Sequence, residues 1–555
     1  MRSELDRRYD ETLAEVVGPG GMLTLGTDKL GRVIVTNFPA TVPGLIRTFA
    51  GTNSGLEAIV AGDERLSFAD VDSLSERLAR ALSARGIEQG DRVGIAMRNC
   101  PSWIVAYFAI LKAGGIATLI NGWWESHELE HALQLTEPKL IIADSPRADR
   151  IKATAAKCPV IAIPIELPVE QALADLLDSD DPDIVLPTVG PDDDATILFT
   201  SGSTGEAKGA LSTHRAVTMG AYTYAAGLIT LLGLLTDEGR APKTKPRVLL
   251  SVPLFHVTGE VPVMLNSFVI GRCLVIMPKW DAGDALRLIE AEGVTYFVGV
   301  PTMSLELMTH PDREKYDLSS LTDIAAGGAP RPISHVERLQ RVFPQSQPAL
   351  GYGLTETNAV GAHNFWGNYA TKPGSTGRAH MPFVELAILG DGDRHLPTGE
   401  TGEIGIRSAA NIKGYWKSPE ATAELFTADH YVRTGDIGYL DEDGYLFIVD
   451  RKKDIIIRGG ENISSAEVEA ACYAFPEVAE ASVFGAQDER LGEVPVAVIV
   501  PTAPGVLTEA ALRAFLEQRL ARFKVPERYI FLDEELPRLG TGKIDRRALK
   551  ARFAS

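Results

Sequence analysis

The chain has 555 residues, an apolar share of 45% and a net charge of −19, so it can bury a large core divided among several domains. The acidic balance excludes a protein that coats nucleic acid through a basic face, although it leaves room for a local basic pocket. Cys100, Cys158, Cys273 and Cys472 are widely scattered, which excludes a disulfide framework and gives no pair the spacing of zinc ligands.

The N-terminal MRSELDRRYDETLAEVVG is too charged for a signal peptide, and the first fifty residues carry no motif. They are expected to cover the large part of the molecule. SFADVDSLSERLARALSARG predicts a helix with Val71, Leu74, Leu78 and Leu82 on one face and Gly86 as its stop. DRVGIAM reads as a buried strand, IVAYFAILKAGG with IATLIN as a helix and strand, and KLIIAD as another strand. This alternation predicts an α/β protein with parallel sheets wrapped by helices. The acidic DSDDPDIVLPTVGPDDD reads as a linker, and TDEGRAPKTKPR, 236–247, as an exposed loop. The most apolar long stretch, VPVMLNSFVIGRCLVIMPKW, is broken by Asn266, Arg272 and Pro278 and is too polar to span a bilayer, so a cytoplasmic location is expected. After residue 385 the texture changes to short strands and turns, with Asp443 and Gly444 marking a hairpin. The last hundred residues read as a small α/β unit. Ser464 and Glu467 there have capping-box spacing ahead of Val468, Ala471 and Phe475, and Leu512, Phe515, Leu516 and Leu520 share the face of a second helix.

Five segments carry chemistry. LFTSGSTGEAKG, 198–209, has the composition of a phosphate loop. Gly202 and Gly205 let backbone N–H groups approach an anion, Thr200, Ser201, Ser203 and Thr204 add hydroxyls, and Lys208 adds charge. It is not the loop of nucleotide hydrolases, because Gly209 rather than a hydroxyl residue follows Lys208, nor does it have dinucleotide spacing. In GYGLTET, 351–357, Glu356 suits a magnesium ion against phosphate oxygens and Tyr352 suits a purine face. Asp436 in YVRTGDIGYL is a candidate for ribose hydroxyls. VDRKKDIIIRGGENIS gathers Arg451, Lys452, Lys453 and Arg458 near a glycine pair, and PRLGTGKIDRRAL sets Lys543 in a glycine-flanked loop.

In this order the five segments closely resemble the adenylate-forming superfamily of acyl-CoA synthetases, luciferases and peptide-synthetase adenylation domains, over about residues 50–550. The resemblance implies a large N-terminal domain, 1–452, of parallel-type sheets wrapped by helices with a β-rich subdomain. It also implies a small mobile α/β C-terminal domain, 453–555, carrying Lys543. It implies ATP, Mg2+ and CoA. A carboxylate attacks the α-phosphate, pyrophosphate leaves, and a thiol then displaces AMP. Thr200 to Lys208 would cradle the β- and γ-phosphates, and Thr200 with Glu356 would bind magnesium. Gly328, Ala329, Gly351 and Tyr352 would flank the nucleotide, and Thr355 would contact the α-phosphate. Asp436 and Arg451 would hold the ribose, Lys543 would bridge carboxylate and α-phosphate, and Lys453 would be the hinge.

The substrate is legible only in part. PLFHVTGEVP has no aspartate where peptide-synthetase domains anchor an amino group, and Glu260 lies several residues beyond that place. FVGVPTM and AAGGAPRP resemble pocket walls of fatty-acyl and aryl-CoA synthetases, with Val300, Gly328 and Ala329 small or apolar, and His256 matches the residue that gates the carboxylate. The leading expectation is an acyl-CoA synthetase for a medium- or long-chain fatty acid. An aryl-acid synthetase, an acyl-AMP ligase loading a carrier protein and a catalytically silent nucleotide-binding scaffold are the alternatives. Partners are the small-molecule acid, ATP and CoA, with no nucleic acid, no stable membrane insertion, and a homodimer left open.

Overall fold

The computed structural model describes residues 2–554 apart from 125, 156, 202–206, 243, 329–330, 460 and 540–542. Among the described residues the chain builds a seven-stranded and a nine-stranded sheet, a four-stranded antiparallel sheet, and a C-terminal sheet formed wholly by residues between Ile456 and Phe531. In the seven-stranded sheet, Arg92–Ala96, Ile116–Leu119, Leu140–Asp144, Val160–Ile163 and Asp194–Ser201 run parallel. Ala207–Thr213 and Gly414–Tyr415 then extend its edge antiparallel. The parallel middle of the nine-stranded sheet includes Arg247–Leu250, Tyr296–Gly299, Asp323–Gly327 and Gln347–Gly353.

The expected helix forms over Phe68–Ala84, with Val71, Leu74, Leu78 and Leu82 buried. Ser67 and Asp70 close a reciprocal capping box at its start, which satisfies N–H groups that the first turn leaves unpaired. This helix, the fully buried Pro101–Lys112 and the long His214–Asp237 share one apolar cluster with inward residues of both large sheets. By length and composition His214–Asp237 could cross a membrane, but most of it is buried inside the protein. The stretch singled out as most apolar instead divides into a π-helical turn Gly259–Leu265, a short helix Asn266–Ile270 and the strand Cys273–Ile276. Gly271, at φ 67°, supplies the left-handed residue that ends the helix.

The first helix, Glu4–Val17, is tied down by more than contact. Asp6, 2% exposed, accepts hydrogen bonds from Asn368 (3.0 Å), Arg378 (3.1 Å) and the Tyr445 hydroxyl (3.0 Å). Tyr445 stands at the tip of the hairpin formed by Val432–Leu440 and Leu446–Arg451, so the N-terminus braces that hairpin.

In the C-terminal unit the capping box is half made. Ser464 accepts from the Glu467 N–H, but the Glu467 carboxylate pairs with Lys524 at 2.7 Å, because an ammonium out-competes a backbone N–H for it. Helices Ser465–Tyr473 and Glu509–Glu517 end before Phe475 and Leu520, yet both of those side chains still pack on this unit's core.

Candidate active site

One corner of the site is built by a hairpin register. Antiparallel pairing sets Asp436 directly opposite Arg451, and Arg451 Nε donates to Asp436 Oδ1 at 3.1 Å. Tyr352, on the strand Gln347–Gly353 that also carries Gly351, donates its hydroxyl to Asp436 Oδ2 at 2.7 Å. Asp436 is buried while half of the Arg451 side chain is exposed, so the pair has a dry end and a wet end. Glu403 fixes the turn before Asp436, accepting from Gly435 N–H at 3.0 Å and from Lys452 at 3.2 Å. Lys453 follows, exposed, in the turn between this hairpin and the C-terminal sheet.

A second corner holds Thr355 and Glu356 on the single 3-10 turn Thr355–Thr357. The turn is pinned by Asn358, at φ 48°, whose buried amide donates to Ala410 O at 2.7 Å. Asparagine tolerates this left-handed conformation better than most side chains. Glu356 Oε1 accepts the Tyr415 hydroxyl at 2.7 Å. Thr200 stands opposite Lys208 across neighbouring strands, and Lys208 Nζ lies 5.0 Å from the centre of the Tyr415 ring. Burial and the adjacent Glu356 push the Tyr415 phenol far up, so it stays a donor. A carboxylate and a hydroxyl oxygen suit a hard divalent cation. Among the described residues there is no group of three or more His, Cys, Asp or Glu side chains that could hold a metal by themselves. Magnesium is commonly held by one or two carboxylates together with substrate phosphates.

Lys543 reaches this site from the C-terminal unit. Leu539 N–H donates to Lys543 O at 2.8 Å. The Lys543 Cε lies 3.1 Å, and its Nζ 3.4 Å, from where a Cβ on Gly328 would stand. Gly328 has φ 74°, so glycine serves both the backbone conformation and the close approach. Burial, and then the like charge of Arg451, push the Lys543 ammonium down to about 8, while Asp436 opposes them. His256 is pushed down to about 3 by burial and by Lys543. Its Nδ1 accepts from Thr258 N–H at 3.2 Å, so the neutral ring carries its proton on Nε2.

The structure thus brings Tyr352, Asp436, Arg451, Lys543, Gly328 and His256 into mutual range, and sets Thr200, Lys208, Thr355 and Glu356 on two paired strands and the adjoining 3-10 turn. Gly202, Ser203, Thr204, Gly205 and Ala329 lie outside the described residues, as does the Ser201 side chain. Val300 departs from expectation: it packs in a core with Phe297, Met303 and Leu307 at the start of helix Pro301–Thr309. Glu260 is fully buried, with Oε1 accepting the Tyr107 hydroxyl at 2.7 Å, and burial pushes its carboxyl up to about 7. Sequence reasoning missed Tyr415 and Glu403. Tyr415 stands in none of the five segments, and Glu403, although set among glycines in GETGEIG, has no local partner there; strand pairing carries both to the site.

Comparison with known proteins gives this geometry a context. A family model described as AMP-binding enzyme matches residues 46–416, and one for the AMP-binding enzyme C-terminal domain matches 467–543. The chain is 36% identical to a feruloyl-CoA synthase of Amycolatopsis sp, over 89% of this chain and 96% of that one. It is 33% identical to a long-chain-fatty-acid–CoA ligase of Bacillus subtilis (strain 168), over 88% of this chain and 90% of that one. Among solved structures, the o-succinylbenzoate coenzyme A synthetase of Bacillus subtilis in complex with ATP and magnesium ion aligns with TM-score 0.76 at 28% identity, covering 91% of this chain and 99% of that one.

Proposed function

The chain belongs to the family of AMP-binding enzymes as an AMP-forming acid–thiol ligase of the acyl-CoA synthetase kind, and we propose that it activates an apolar, medium- or long-chain fatty acid. The observation that carries the chemistry is the convergence of Lys543 on the Asp436–Arg451 pair at the edge formed by Gly328.

In this reading Asp436, already oriented by Tyr352 and Arg451, accepts the ribose hydroxyls of ATP, and the Tyr352 ring flanks the adenine. Lys208 and the hydroxyl of Thr200 face the β- and γ-phosphates. Magnesium, when bound, neutralises phosphate charge and orients the leaving pyrophosphate. Glu356 and Thr200 are the residues of this chain that would hold it. Lys543 meets the attacking carboxylate and the α-phosphate oxygens together, so two anions approach against one fixed cation. The acid's oxygen bonds to the α-phosphorus and the bond to the β-phosphate oxygen breaks. The thiol of CoA then attacks the acyl carbon, and AMP departs. Neutral His256 stands beside the approach of the carboxylate without adding charge.

We take 453–555 as a separate lid that turns about Lys453 between the two half-reactions, leaving 1–452 as the body. The C-terminal sheet and its own apolar core support this division. Glu260 is engaged by Tyr107 rather than open to a substrate amine, which disfavours an amino acid. A second reading, an aryl acid, draws support from the feruloyl-CoA synthase likeness.

Pyrophosphate release from ATP and magnesium with a panel of fatty, aryl and amino acids, with and without CoA, tests this function. Sustained turnover that needs CoA and prefers medium or long fatty acids is the expected result. Preference for aryl acids would move the assignment to the second reading. A single burst indifferent to CoA would replace both with an acyl-AMP ligase.

A further inference from the structure

Tyr415 belongs to none of the glycine-rich segments, yet it touches two of the charged groups on which phosphate chemistry at this site depends. Its place follows from strand pairing. Gly414–Tyr415 adds to the free edge of Ala207–Thr213, with Ala210 opposite Tyr415 and Leu211 opposite Gly414. Hydrogen bonds from Lys413 N–H to Leu211 O (2.8 Å) and from Trp416 N–H to Gly209 O (2.7 Å) fix that register. Tyr415 N–H itself donates to Thr422 Oγ1 at 2.9 Å. Residues two apart on a strand share a face, so Lys208 is the diagonal neighbour of Tyr415 beside Ala210. Thr200, paired with Lys208, stands on the same face. Glu356 arrives from the opposite wall, held by Ile412 N–H donating to Glu356 O at 3.0 Å.

The result is a single phenol with a separate use for each part. Its hydroxyl donates to Glu356 Oε1 at 2.7 Å, and its ring lies under Lys208 Nζ at 5.0 Å. An ammonium and a carboxylate that paired with each other would be less free for phosphate or metal. Among the described residues no ion pair joins them: Lys208 lies over a ring face, which attracts the cation without accepting a conventional hydrogen bond. Glu356 takes one neutral donor, the Tyr415 hydroxyl.

We propose that Tyr415 is the positioning residue of the metal–phosphate corner, its hydroxyl setting the Glu356 carboxylate for magnesium and its ring holding Lys208 toward the phosphates of ATP. The proposal rests on the reading of Glu356 as metal ligand and Lys208 as phosphate ligand.

The experiment is calorimetric binding of ATP to the full-length protein with magnesium and with EDTA, for wild type, Tyr415→Phe, Tyr415→Leu and Glu356→Gln, with thermal unfolding of each. The wild type gains ATP affinity from magnesium, and Glu356→Gln removes that gain. Tyr415→Phe, which keeps the ring, should remove about tenfold of the gain, the worth of one hydrogen bond to a charged group, while leaving affinity in EDTA unchanged. Tyr415→Leu should in addition lower affinity in EDTA by about threefold, the worth of an exposed cation–π contact. In turnover, Tyr415→Phe should raise the magnesium needed for half-maximal rate and leave KM for the acid alone. If Glu356→Gln loses the magnesium gain and Tyr415→Phe retains it, the role given to Tyr415 is wrong although the metal site stands. If Glu356→Gln itself retains the gain, the metal assignment falls and takes the proposal with it. A change in unfolding temperature without a change in the magnesium gain would make Tyr415 structural only and overturn the proposal.

Discussion

The Tyr352 hydroxyl donates at 2.7 Å to the same Asp436 carboxylate that accepts from Arg451 Nε at 3.1 Å, so one buried anion orients an aromatic ring and a cation within reach of Lys543. The charge state of Lys543 is set by its burial first, and then by Arg451 and Asp436. Burial and Arg451 hold its ammonium down to about 8, so the free enzyme loses that charge as pH rises through this value. For adenylation, kcat/KM should fall by about tenfold per pH unit above it. Arg451→Gln should move that limb to higher pH, and Asp436→Asn to lower pH. A pH profile of pyrophosphate exchange that stays flat to pH of about 10 would refute the role given to Lys543.

Lys543→Ala should cut adenylation by about 100-fold or more, the cost of removing one preorganised charge from a developing anion. Thioester formation from supplied acyl adenylate and CoA should be retained. Measured separately, equal loss of both half-reactions would mean that Lys543 serves folding or domain contact.

Lys453→Pro should do the reverse. On the proposed lid motion, a ring that fixes φ in this exposed turn should hinder rotation, so that pyrophosphate exchange persists while thioester formation falls by about tenfold or more. Undiminished overall turnover would put the hinge elsewhere.

Glu260 gives stability a sign with pH. Its folded-state carboxyl is raised to about 7 from an ordinary 4.5, so the folded protein binds its proton more tightly than the unfolded chain does. That contribution is fully present below the ordinary value and is lost as pH rises through about 7, amounting to roughly 3 kcal/mol. Glu260→Gln should flatten the dependence of unfolding temperature on pH between about 5 and about 8. An unchanged slope would show that the carboxyl is already ionised at low pH.

Asp6→Ala should destabilise the protein by about 3 kcal/mol, because it leaves Arg378, Asn368 and Tyr445 without their shared acceptor. Chemical denaturation reads this directly, and a loss below about 1 kcal/mol would reduce the N-terminal helix to a cover.

Much of the fold was legible because it is local. The stripe Val71, Leu74, Leu78 and Leu82 repeats at helical spacing, and a helix with that stripe has one way to face a core. Asp443 and Gly444 mark a turn because Gly444, at φ 82°, occupies a conformation that disfavours side chains. The half-made cap at Ser464 was not legible, because the rival for Glu467 is Lys524, 57 residues away. Val300 could not be placed either: whether an apolar residue lines a pocket or fills a core depends on the elements opposite it.

By itself the sequence determined the helix–strand alternation, the glycine-rich loops and the identities of the charged groups, since periodicity and backbone freedom are properties of neighbouring residues. Only the tertiary structure decided which charges meet. It set Asp436 opposite Arg451 through hairpin register, and Lys543 against Gly328 through the packing of the C-terminal unit on the large one. It put Tyr415 between Lys208 and Glu356 through an edge strand of two residues. Electrostatic and hydrogen-bond energies depend on separations in space and on burial, and register and packing fix both.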